Sequence, residues 1–180
     1  DCPVGFGPHA FVVPAKDAPA SAYVYIVAWA DSQTTQGVLA QFKRSGGAPL
    51  YSGSGSWEVC ATGNNIDITG PGPDQTVVNQ NVAQCNLGAT GATHSKGWVT
   101  TAGAKTPGAV GKLAFGETNE DGGGSFPIVC QLDDAGVRGI DPQAKWMWFD
   151  PEDGHSPFEG NSGNRTKTFL IFRLPASSTT

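Results

Sequence analysis

The sequence predicts an all-β fold, an antiparallel β-sandwich or jelly roll stapled by two disulfides. Three observations carry this expectation. Apolar and polar residues alternate with a period of two over many short segments. Turn-forming residues are abundant, with 25 Gly and 13 Pro in 180 residues, while only 15% of residues are charged. Four widely spaced cysteines, at 2, 60, 85 and 130, suit a cross-linked secreted domain. At this length one well-buried domain over 1–180 is expected, with 175–180 ("PASSTT") as a flexible tail.

The elements follow in order. "AYVYIVAWA" (22–30) places Tyr23, Tyr25, Val27 and Trp29 on one face and Val24, Ile26 and Ala28 on the other. Both faces are apolar, so it reads as a central strand, with "VLAQF" (38–42) returning as its antiparallel partner. "SWEVCAT" (56–62) sets Trp57, Val59 and Ala61 against Glu58 and Cys60. "TVVNQNVAQCNL" (76–87) is ambiguous, and its β-branched residues favour strand. "KGWVTT", "GKLAFGET" and "FPIVCQL" are further strand candidates, the last with its Pro at a start or an edge. "AKWMWFD" (144–150) and "KTFLIFRLP" (167–175) are strands enclosing an acidic loop as a long hairpin-like excursion. No helix of normal length is evident; "DDAGVRG" is at most one turn.

The cysteines show neither C-x-x-C nor pairing with His, which leaves a zinc site little support. Two bridges allow three connectivities. The shorter loop favours Cys60–Cys85, leaving Cys2–Cys130 to tether the N-terminal segment. The "DCPVGFGP" start reads as a mature end left by signal-peptide removal, and the expected location is secreted or extracellular. "NRT" makes Asn164 a glycosylation candidate if the source is eukaryotic. A net charge of −5, a pI of about 5.0 and the lack of a Lys/Arg cluster argue against nucleic acid as a partner. No apolar run reaches the ~20 residues of a membrane helix, and membrane insertion is not expected.

The segments "VAWADSQTTQGVLAQF" (27–42), "SWEVCA" (56–61) or "GWVTT" (97–101), and "AKWMWFD…TKTFLIFRL" (144–174) together resemble the galactose-binding-domain-like β-sandwiches of secreted carbohydrate-binding modules and cell-surface proteins. The likeness touches about a third of the chain, and "QTTQG" stands where that pattern would carry an Asn-Gly turn. The resemblance implies an eight- or nine-stranded jelly roll, often with a structural calcium ion. Ligands would be gripped by loops at one end.

Candidate site residues follow from chemistry. Trp57 and Trp98 sit beside Gly/Ser-rich turns where a ring could stack on a sugar, and Asn64 and Asn65 could hydrogen-bond its hydroxyls. Trp146 and Trp148, two residues apart, are neighbours on one strand face and read as core. Asp150, Glu152 and Asp153 in "DPEDGH" offer hard oxygen ligands for Ca²⁺ without EF-hand spacing; "ETNEDGGG", "NNID" and Asp31 are comparable loops. Such acidic, glycine-containing loops are commonly plain solvated turns. The histidines at 9, 94 and 155 lack metal-ligand spacing. No G-x-S-x-G, H-E-x-x-H, P-loop or G-x-G-x-x-G occurs, and a glycosidase pair drawn from Glu58, Glu117, Asp141 or Asp150 cannot be fixed by spacing, so no enzyme is expected. The leading expectation is a secreted, non-catalytic, lectin-like binder of a glycan or polysaccharide, with calcium shaping a loop. The alternative is a self-associating structural subunit of an extracellular fibre, sheath or cell wall.

Overall fold

The computed structural model describes residues 10–17, 19, 21–29, 37–43, 48–54, 56–65, 72–88, 97–119, 132–133, 136–137, 140–150 and 168–176. In chain order its strands are β1 (Tyr23–Ala28), β2 (Gln41–Phe42), β3 (Leu50–Tyr51), β4 (Glu58–Asn65), β5 (Val99–Thr100), β6 (Gly103–Ala104), β7 (Lys112–Thr118), β8 (Leu132–Asp133), β9 (Gly136–Val137), β10 (Lys145–Asp150) and β11 (Thr168–Pro175). Among the described residues one α-helix is complete, α1 (Gln75–Leu87), between β4 and β5.

The main sheet is antiparallel, in the order β1-β11-β4-β5-β6. β7 pairs with β10, β2 with β3, and β8 with β9. Strand alternation sends the two sets of side chains on β4 and β11 to opposite faces. Val59 and Ala61, with Trp57 just before them, join Leu170, Phe172 and Leu174. These pack against Leu113, Met147, Trp148 and Phe149 of β7 and β10 to form the larger core. Cys60, Phe169 and Ile171 form a smaller core with Cys85 and Trp98, flanked by the half-buried Val27 and Val82. Helix α1 therefore lies on one face of the main sheet, and the β7–β10 pair lies on the other.

These observations correct the all-β expectation. Among the described residues the fold is α+β, and no sheet closes into a sandwich, jelly roll or barrel. The segment expected as a strand, "TVVNQNVAQCNL", is helical. Asp74 caps it: its extended backbone leaves its carboxylate free to accept from the Val77 N–H at 2.8 Å. Val78, Asn81, Val82 and Cys85 then fall at i, i+3, i+4 and i+7, the face turned toward the sheet. Its β-branched residues lower helix propensity by only tenths of a kcal/mol, about what one cap supplies. Among the described residues one disulfide is present, not two. Cys60–Cys85 joins β4 to α1 as the shorter loop predicts, while Cys2 and Cys130 lie outside the described residues.

Strand order differs as well. β1 is an edge strand rather than a central one, and its partner is β11, not residues 38–42. Val38 instead bridges to Met147 of β10, and β2 pairs with β3. β10 and β11 belong to different sheets, so they do not form a hairpin around the acidic loop. "DDAGVRG" contributes the β8–β9 ladder instead of a helical turn. Pro175 pairs with Tyr23, and the buried Ala176 donates its N–H to the Ala22 carbonyl. The first two residues of the expected tail are thus held by backbone contacts; 177–180 lie outside the described residues.

Candidate functional site

Past Cys60 and Ile171, at the C-terminal end of α1, the same face of the sheet carries a different set of residues. Register aligns Tyr25, Arg173 and Glu58 across β1, β11 and β4. Arg173 replaces the apolar residue that the alternation of Phe169 and Ile171 would continue, and Glu58 does the same ahead of Cys60. Each is the one charged residue of its strand.

Four side chains hold Arg173. Its Nε donates to Glu58 Oε2 at 2.5 Å, and Nη1 donates to Asn86 Oδ1 at 3.0 Å. Its Cζ lies 4.2 Å from the ring centre of Tyr23 and 3.9 Å from that of Trp98, so the guanidinium is layered between two aromatic faces. Trp98 Nε1 donates to the same Asn86 oxygen at 2.8 Å, fixing its ring over the cation. The Glu58 carboxylate, 3% exposed, takes a second cation on its other oxygen, with Lys105 Nζ 2.8 Å from Oε1. Both oxygens of a buried charge are therefore paired, as a desolvated carboxylate requires.

Local sequence explains the placement. Asn86 is in the last turn of α1, and Gly88 ends the helix in the left-handed region (φ 57°), its N–H returning to the Gln84 carbonyl. A Cβ on Gly88 would lie 2.1 Å from the Thr106 methyl, so only glycine lets the helix end reach the segment that carries Trp98. Thr106 Oγ1 accepts from the Trp98 N–H at 3.3 Å. The β5–β6 hairpin turns tightly through Thr100, whose hydroxyl donates to Gly103 O at 3.0 Å, and this returns Lys105 beside Glu58.

Next to this cluster, Tyr23 and Tyr25 are 37% and 38% exposed, with ring centres 6.1 Å apart; Tyr25 also approaches Trp98 at 6.4 Å. Trp29, 42% exposed, follows β1, and its ring lies against Gly72 ahead of the helix. Three solvent-facing aromatic rings thus run along the edge strand, two of them beside a cation.

The residues expected to form a site lie apart from one another. Trp57 is buried in the larger core, its Nε1 3.3 Å from the Tyr51 carbonyl and its ring 5.7 Å from Phe42. Asn64 donates to Asn81 Oδ1 at 2.6 Å, tying β4 to α1, and Asn65 aligns with Thr168 at the end of the ladder. Trp98 belongs to the Arg173 cluster. Asp150 is buried where β10 meets Lys112, while Glu152, Asp153 and Asn164 lie outside the described residues. Among the described residues no three metal-ligating side chains come together. Trp146 and Trp148 are buried, with Trp148 6.1 Å from Phe172, as a core strand requires. Of the carboxylates considered for hydrolysis, Glu58 is committed to two cations and Asp141 Oδ1 accepts from the Gln143 N–H at 2.8 Å.

Sequence reading passed over Tyr23, Tyr25, Asn86, Lys105 and Arg173. The available signal was a lone Arg in "TFLIFRLP" and a lone Glu in "SWEVC", opposite charges inside otherwise uncharged strands. No protein-family model, curated protein or solved structure matches the chain.

Proposed function

We propose that the protein is a secreted, non-catalytic carbohydrate-binding domain whose contact surface is the aromatic row Tyr23, Tyr25 and Trp29. The observation that carries this reading is the exposure of these three rings on one edge of a rigid sheet. A sugar presents C–H groups to an aromatic face and hydroxyls to neighbouring polar groups, here Asn86 and Lys105. The buried Cys60–Cys85 bridge supports an oxidising, extracellular setting. Calcium belongs to this reading as an ion with Asp150, Glu152 and Asp153 as its ligand candidates, of which Glu152 and Asp153 lie outside the described residues.

The test is a glycan array probed with wild type and with a Tyr25→Ala/Trp29→Ala variant, each with calcium and with chelator. Binding by wild type and loss in the variant, at an unchanged melting temperature, is the expected result. An array blank for wild type under both conditions would sink the reading.

A second reading, a self-associating structural subunit, has one observation in its favour. The outer edge of β1 has no strand partner among the described residues, and none of its six residues is charged. Light scattering separates the two: a monomer at all concentrations removes the fibre reading.

A further inference from the structure

We infer that the Arg173 end of this surface selects a carboxylated sugar, a hexuronate residue of an acidic glycan. The inference rests on the carbohydrate reading above and adds the ligand's charge and the group that recognises it. A guanidinium fans its N–H donors around a planar fork. In Arg173 the Nε edge is taken by Glu58 and one Nη1 donor by Asn86, while the other terminal N–H groups have no partner among the described residues. Tyr23 and Trp98 crowd its Cζ, with ring centres at 4.2 and 3.9 Å, which leaves the unpaired terminal donors as the point of approach for a ligand. The side chain is 13% exposed, so it is not wholly sealed from a ligand.

A carboxylate fits this approach, since its two oxygens lie in one plane and accept parallel N–H bonds. Charge points the same way. The cluster holds two cations, Arg173 and Lys105, against one carboxylate, Glu58, in a chain whose net charge is −5. Lys105 is 57% exposed and adds a second, flexible cation at the rim. In a hexuronate the carboxylate is attached to the ring itself. One sugar residue can therefore stack its C–H face on Tyr23 or Tyr25 while its acid group meets Arg173. A neutral sugar would leave the terminal donors to water.

The experiment is isothermal titration of the full chain with oligogalacturonate, oligomannuronate and hyaluronan oligosaccharides. Their methyl esters, cello-oligosaccharides and a sulfated heparin oligosaccharide serve as comparators. At least one uronate should bind about tenfold or more tighter than its own methyl ester, the loss expected when a bidentate charged pair becomes a neutral contact. Arg173→Lys should erase that preference, because an ammonium keeps the charge and loses the fork. If that variant does not fold, the exposed Lys105→Ala should still weaken uronate binding by about twofold or more. Uronate preference that survives both changes overturns the assignment, and so does tighter binding of the sulfated ligand. Tyr25-dependent binding of neutral and acidic sugars alike overturns this inference and leaves the carbohydrate reading standing. No binding to any of these ligands overturns both.

Discussion

Leu170, Phe172 and Leu174 leave β11 on one side of the main sheet, and Phe169, Ile171 and Arg173 leave it on the other. The first set meets Trp148, Met147 and Leu113 in a core where burial alone holds the layers together. The second set begins in the same way under α1 and ends on a cation that needs a carboxylate, an amide and two aromatic rings to be accommodated. The contrast teaches where specificity can reside. A face built from shape and burial tolerates repacking, whereas a face ending in a desolvated charge depends on particular partners.

Five variants test that contrast, from the largest effect to the smallest. Trp148→Ala removes a buried ring from the face made of burial, and the expected loss is about 3–5 kcal/mol in urea unfolding. A variant that melts like wild type would show that this face is not the main core. Replacing both Cys60 and Cys85 by Ala opens the loop that fastens α1 to β4. With a sequence separation of 25, chain entropy predicts a loss of about 3.5 kcal/mol. A loss near zero would mean that packing alone seats the helix.

Glu58→Gln leaves Arg173 without its anion and should cost about 3 kcal/mol. Adding Arg173→Met to that variant should recover about 1 kcal/mol or more, because the uncompensated charge is then gone. Equal stability of the single and double variants would show that the charge is well solvated and that the two faces differ less than their residues suggest. Asp74→Ala removes one cap from α1, with an expected loss of about 1 kcal/mol followed by thermal circular dichroism. A larger loss would mean that the helix depends on its first turn more than on the bridge.

Alternation was legible wherever a strand is covered on both faces. Trp57, Val59 and Ala61 part from Glu58 and Cys60 as the period of two requires, and the Cys60–Cys85 pairing follows from loop length. The helix was missed because Thr76, Val77 and Val78 read as strand, although Asp74 before them and Gly88 after them frame a helix. Sheet order was not legible. β1 is apolar on both faces, which suits a central strand, yet its Tyr rings tolerate half exposure and the chain leaves it at the edge. Of the Arg173 cluster only the lone Arg and the lone Glu stood out in the sequence, and nothing there joined them before the register was known. Its members come from β1, β4, β11, the last turn of α1 and the segments flanking the β5–β6 hairpin, and only the sheet brings them together.

The place of β11 between β1 and β4 also governs the order in which the molecule can fold. Val27 and Cys60 both take Ile171 as their register partner, although most of the chain separates Val27 from it. A ribosome that has released residues up to 167 has produced β1 and β4 without the strand that joins them. The Cys60–Cys85 loop and α1 can close early, since their contacts are local, but the main sheet must wait. Until then β1 and β4, which carry Glu58 as their one charge, stand without the strand that joins them, and pairing across so long a separation is slow.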